Sequence, residues 1–221
     1  MPLIAASQVI RTREQAIEVN SVLRNTYILL ALMIAVCAGA TVVAVHMPFR
    51  PPFLVLLIGI IGLPFAIQAT ARSAIGLLLS FVYAAFLGFW GAPLVVLVLQ
   101  INPMLITQAL GITAATFVGL SMYTIIRRAD FSWLGQFLFV SVFAIIGIFI
   151  LSLFVRFGEP IQIVISAFFI IFASALILFQ TSQIVLGGER NYIVAATTLF
   201  AGLWILFMYI LQLLAIFSGR E

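Results

Sequence analysis

Seven long apolar stretches, separated by ionisable and turn residues, constrain this chain more than any other feature of its sequence. They run about Tyr27 to Met47, Phe53 to Ala71, Ala74 to Leu99, Leu105 to Ile126, Phe131 to Val155, Ile161 to Val185 and Tyr192 to Phe217. A helix rising about 1.5 Å per residue needs roughly 20 residues to cross a hydrocarbon core of about 30 Å. Each stretch meets that length. The fold class expected is all-α: a polytopic membrane protein of seven transmembrane helices. A β-barrel would show alternating segments of about ten residues instead. With 65% hydrophobic and 7% charged residues, the chain is too apolar for a water-soluble domain and too little charged for disorder.

Orientation follows from arginine, because the chain has no lysine. The segments before the first span and after spans two, four and six hold Arg11, Arg13, Arg24, Arg72, Arg127, Arg128 and Arg190. The alternate segments hold Arg50, Arg156 and Arg220. The positive-inside rule puts the richer set in the cytoplasm, so the N-terminus is inside and the C-terminus outside. Tyr27, Tyr123, Trp133 and Tyr192 lie near these inside arginines, where amphipathic rings favour the headgroup level. The organisation expected is a cytoplasmic tail over 1–26, a seven-helix membrane domain over 27–217 and a short tail over 218–221. The tail over 1–26 reads as a short amphipathic segment and not as a cleaved signal, because the apolar stretch that follows is too long for one. The formal charge of +4 holds no basic cluster beyond Arg127-Arg128, so nucleic acid is not an expected partner; the lipid bilayer is.

Lipid is as apolar as leucine, so membrane helices associate by close packing, and small residues mark where backbones approach. Small residues recur every fourth position in span three (Gly76, Ser80, Ala84, Gly88, Ala92), span four (Thr107, Gly111, Ala115, Gly119) and span one (Ala31, Ala35, Gly39). These ridges predict that spans three and four are central. Pro64 predicts a kink in span two and Pro93 one late in span three, whereas Pro160 opens span six, where its missing N–H costs nothing.

An ionisable residue inside a bilayer is costly and marks function. The acids Glu14, Glu18, Asp130, Glu159, Glu189 and Glu221 all fall in loops or tails, and the lone histidine, His46, sits at the outer end of span one. Intramembrane zinc or serine proteolysis, a voltage sensor and a proton relay all lack their residues, and no nucleotide fingerprint is present. An enzyme is not expected, and neither is a cofactor or resident metal. The interior polarity is amide and hydroxyl. Its densest cluster is Gln180-Thr181-Ser182-Gln183 at the inside end of span six, with Gln180 and Gln183 on one face. Gln180, Thr181 and Gln183 are candidates for a polar lining, and the remaining amides and hydroxyls for bonds between helices.

Three stretches carry a resemblance. They are Val22-Leu23-Arg24-Asn25-Thr26-Tyr27; Ser121-Met122-Tyr123-Thr124 through Arg127-Arg128-Ala129-Asp130-Phe131-Ser132 with Trp133-Leu134-Gly135; and Phe179-Gln180-Thr181-Ser182 through Gly187-Gly188-Glu189-Arg190-Asn191-Tyr192. In this order, and with seven spans, the chain resembles the Bax inhibitor-1 family, most closely its proteobacterial YccA-like branch. The resemblance implies six helices around a central seventh, in a bacterial inner membrane. It also implies one of two activities. The first is modulation of an FtsH-type membrane-anchored ATP-dependent protease, of which the branch is also a substrate. The second is a pH-regulated calcium leak gated by two aspartates. The family's aspartate positions fall at Gln180 and about Gly202, and neither residue can titrate. That departure favours the protease modulator, with a cation leak as the alternative, and with residues 1–20 as the end the protease would grip.

Overall fold

The structure, a computed structural model, describes residues 2–47, 55–56, 58–155 and 157–219, with side chains from Val19 onward and that of Ile17. Arg50, Arg156 and Arg220 lie outside the described residues. The described chain is helical, without strands. Helix α1 spans Pro2–Val45, and α2 spans Ile58–Thr70 as a π-helical turn, Ile58–Gly62, followed by an α-helix, Leu63–Thr70. Then come α3 (Ala74–Ile101), α4 (Met104–Arg127), α5 (Leu134–Phe154), α6 (Glu159–Val185) and α7 (Tyr192–Ser218). Six of these, α1 from Val19 onward and α3 to α7, are long and apolar enough to cross a bilayer by themselves.

Helix α2 is the exception. Its 13 described residues rise about 20 Å, short of the roughly 30 Å core. The chain must still pass from the outer end of α1 to the inner end of α3, because those two helices run parallel. Within the described residues the helix passes from a π-turn to an α-helix for a local reason. Pro64 has no N–H for the carbonyl of Ile60, and the wider π-turn ahead of it takes up the mismatch. Gly59 also faces the Phe86 ring so closely that a Cβ there would force the ring to shift. Pro93, by contrast, leaves α3 unbroken through to Ile101.

Helix α7 is the hub, packing against α1, α2, α3, α4 and α6. Helices α3 and α7 each have 39% of their most apolar window buried, against 11% for the peripheral α5. Along α3, Gly76, Ser80, Ala84, Gly88 and Ala92 are all buried. A Cβ on Gly88 would fall on the Cys37 carbonyl oxygen and within 3.1 Å of the Ala40 methyl, so only glycine lets α1 and α3 approach this closely.

The small-residue ridges of α4 and α1 face the other way. Thr107, Gly111, Ala115 and Gly119 are exposed, as are Ala31, Ala35 and Gly39, and nothing lies within 4 Å of a Cβ built on Gly39, Gly111 or Gly119. The inward face of α4 is Leu105, Ala109, Thr113, Phe117, Ser121 and Thr124. The two faces are offset by two residues, about 200° around a helix. Helix α4 is therefore not the tightly packed centre that its glycine spacing predicts. Its inner surface instead carries hydroxyls and a phenyl ring.

Most interior hydroxyls do not bridge helices, contrary to the sequence expectation. Ser80, Thr124, Ser166, Ser174 and Thr197 donate to carbonyls three or four residues back in their own helices, at 2.7 to 2.9 Å. This local bond satisfies a hydroxyl without a partner helix.

Candidate functional site

The polar end of α6 organises the inner face of the bundle. Ser182 is fully buried. Its hydroxyl donates to the Ala129 carbonyl at 3.0 Å and accepts from the Phe131 N–H at 3.0 Å, which fastens the α4–α5 loop to α6. Gln183 donates its amide to the Ser132 hydroxyl at 3.1 Å. Asp130 is exposed and is held within the same loop. Hydrogen bonds from the Ser132 hydroxyl and then from the Ser132 N–H, at 2.9 Å, keep its carboxyl below the usual aspartate value.

The α6–α7 turn is equally constrained. The Gly188 and Glu189 N–H groups both reach the Gln183 carbonyl, at 2.8 and 3.0 Å, across Gly187 at φ +77°. That left-handed angle is why a glycine stands at position 187. Asn191 then caps α7, accepting from Ile193 and Val194, and its amide donates to the Ala71 carbonyl at 2.9 Å. The three connections that carry Arg72, Arg127, Arg128 and Arg190 thus meet at one end of the bundle, the end that charge assigns to the cytoplasm.

Just inside this end, Tyr27 of α1, Ser121 of α4 and Thr181 of α6 form a buried polar core. Thr26, Thr113, Ser121, Gln180 and Thr181 are at most 6% exposed. The Tyr27 hydroxyl approaches those of Ser121 and Thr181, but the three stop short of hydrogen-bond geometry. Among the described residues, Thr26 Oγ1, Tyr27 OH, Thr113 Oγ1, Ser121 Oγ, Gln180 Nε2 and Thr181 Oγ1 are all buried without a partner. Thr181 lies in this core, Gln180 is buried next to it in the chain, and Gln183 bonds to the α4–α5 loop.

Tyr27 is not turned to the headgroups as its position near Arg24 suggests. It packs inward against Phe117, with ring centroids 6.1 Å apart. Tyr123 and Trp133 are exposed, at 55% and 65%. The polar members of α4, Thr113 and Ser121, escaped the sequence reading. Their signal is the four-residue spacing of Thr113, Phe117 and Ser121, which runs beside the more conspicuous glycine ridge.

Gly202 is buried against the stripe of α6 that also carries Gln180, because Ala173, Leu176 and Ile177 precede Gln180 by seven, four and three residues. A Cβ there would meet Ile177 Cγ1 at 3.1 Å, the Ala173 carbonyl at 3.6 Å and Leu176 Cδ2 at 3.6 Å. Its surroundings are apolar. Calcium takes 6–8 hard oxygens, usually including carboxylates. Gln180 and its neighbours offer neutral groups only, and the described residues hold no cluster of three His, Cys, Asp or Glu side chains. This core does not fit calcium. Asp130 lies between α4 and α5, Glu159 at the outer start of α6, and Glu189 in the α6–α7 turn.

These features define a class: a multi-pass helical membrane protein whose interior polarity is uncharged and whose inner loops are locked to the end of α6. Residues 19–219 match the family described as "Inhibitor of apoptosis-promoting Bax1", and the chain belongs to this Bax inhibitor-1 family. It is 40% identical to an uncharacterized protein of Pseudomonas aeruginosa over 92% of this chain and 93% of the relative. It is 35% identical to the Escherichia coli K12 protein named modulator of FtsH protease YccA, over 95% of each chain. A Vibrio cholerae membrane protein is 33% identical over 94% of this chain and 95% of its own. A second E. coli strain's relative, also 35% identical, carries the name inner membrane protein YccA.

Proposed function

We propose that this chain is a multi-pass protein of the bacterial inner membrane that restrains a membrane-anchored, ATP-dependent protease of the FtsH type. The observation that carries this reading is the end-to-end similarity to a relative named for that role. Helix α1 adds a physical reason. It begins at Pro2, ahead of the candidate span Val19–Val45, and the intervening helix is about 25 Å long. That extension is the part the protease grips. The bundle behind it resists extraction, because α1 is seated on Gly88 of α3 and buried against α7. A slowly extracted client occupies the protease and spares others.

The alternative raised by the family, a calcium leak, needs a titratable pair. Gln180 and Gly202 stand at those positions, which weighs for the regulatory reading. Deleting residues 2–18 tests the grip in cells that express the protease. The truncated chain is expected to outlive the full-length chain several-fold, and the difference should vanish in protease-deficient cells. Equal decay rates in the presence of the protease would remove the N-terminal helix from the account.

A further inference from the structure

Helix α2 ends in a cleft distinct from the buried polar core. Its walls are Gln68, Ala69, Ala71 and Arg72 on one side and Asn191 and Val194 at the start of α7 on the other, and this open cleft has a volume of about 430 Å³. It opens at the cytoplasmic end, where the Asn191 amide is tied to the Ala71 carbonyl. The Arg72 side chain is exposed, and among the described residues no carboxylate pairs with it. Glu189, two residues from the wall, turns one carboxylate oxygen to the Asn191 N–H at 2.7 Å.

The outer face of α2 leads into this cleft. Ile58, Ile61 and Phe65 are 70%, 54% and 67% exposed. Gln68 continues this face at a spacing of three, and Arg72 follows in the turn just after the helix, so the surface grades from apolar to amide to guanidinium. A guanidinium recognises phosphate oxygens through paired N–H donors. The anionic cytoplasmic leaflet concentrates such headgroups beside basic juxtamembrane residues.

We propose that this cleft binds an anionic phospholipid of the cytoplasmic leaflet. Arg72 and Gln68 hold the phosphate, and one acyl chain lies along Phe65, Ile61 and Ile58. The lipid lies along the outer side of α2 and bridges it to the start of α7.

Native mass spectrometry of the full chain in neutral detergent tests this, with phosphatidylglycerol as the probe. The expected result is a retained phosphatidylglycerol adduct and a much weaker one with phosphatidylcholine. Arg72→Gln is expected to weaken the adduct about tenfold, and Arg128→Gln, in the neighbouring loop, to leave it unchanged. Gln68→Ala is the second arm should Arg72→Gln fail to fold; weaker binding supports the site and unchanged binding overturns it. Equal retention of phosphatidylcholine, or an equal loss in Arg128→Gln, would also overturn it. Displacement of the lipid by an equal concentration of inorganic phosphate would make the cleft a phosphate site and end the lipid assignment.

Discussion

The Thr41 hydroxyl sits between two carbonyls, 2.9 Å from that of Cys37 in its own helix and 3.0 Å from that of Gly88 across the interface. The same Gly88 has no room for a Cβ. Close approach and the hydrogen bond therefore depend on each other, and together they fix how α1 lies on α3.

Glycine substitutions separate this contact from the outward ridges. Gly88→Leu is expected to cost several kcal/mol, as overpacking against backbone does. Gly119→Leu or Gly111→Leu is expected to shift stability by less than about 0.5 kcal/mol, since both positions face outward. Thermal denaturation in detergent reads the contrast. Equal losses at the two helices would mean that α4 packs by its glycine face after all.

The buried core makes the opposite kind of prediction. Thr113→Val keeps the shape and removes a buried hydroxyl that has no partner. An unsatisfied group of this kind costs about 1–3 kcal/mol, so the variant should melt higher than the parent. A lower melting point would show that the hydroxyl is satisfied and important in the folded protein.

Ser182→Ala removes both bonds to the α4–α5 loop. It leaves the Phe131 N–H and the Ala129 carbonyl without their partner, a loss of about 1–3 kcal/mol. Hydrogen exchange should rise over residues 128–132 and stay unchanged at the centre of α7. Unaltered exchange in the loop would contradict the locked inner face.

Asp130 contributes to the acid limb. Its carboxyl is held below the usual value of 3.8 by Ser132. A depressed folded value contributes stability above the unfolded value, and that contribution is lost as pH falls through the folded one. The melting point is therefore expected to fall below about pH 4, and Asp130→Asn should lack part of that fall. Identical acid profiles would remove this role.

Much of the architecture is legible in the chain. The apolar stretches bounded by arginine correspond to the described helices, and the family follows from the motifs around Arg24, Asp130 and Glu189. Three features are not legible, each for a physical reason. The run from Phe53 to Ala71 is apolar throughout, so hydropathy cannot show the π-helical turn Ile58–Gly62 ahead of Pro64. Glycine ridges look alike in α3 and α4, and only the position of the neighbouring helices decides which one faces inward. Gln180 and Thr181 announce themselves as polar, whereas Tyr27 and Ser121 come from two other helices and meet Thr181 only in the fold.

Reconstitution gives the most direct test of the regulatory account. An FtsH-type protease would be placed in liposomes with a second membrane substrate, and degradation of that substrate timed with and without this chain. The account predicts slower degradation with the full-length chain present, and recovery of the rate when residues 2–18 are removed. A substrate lifetime that does not respond to this chain at any ratio to protease would contradict it.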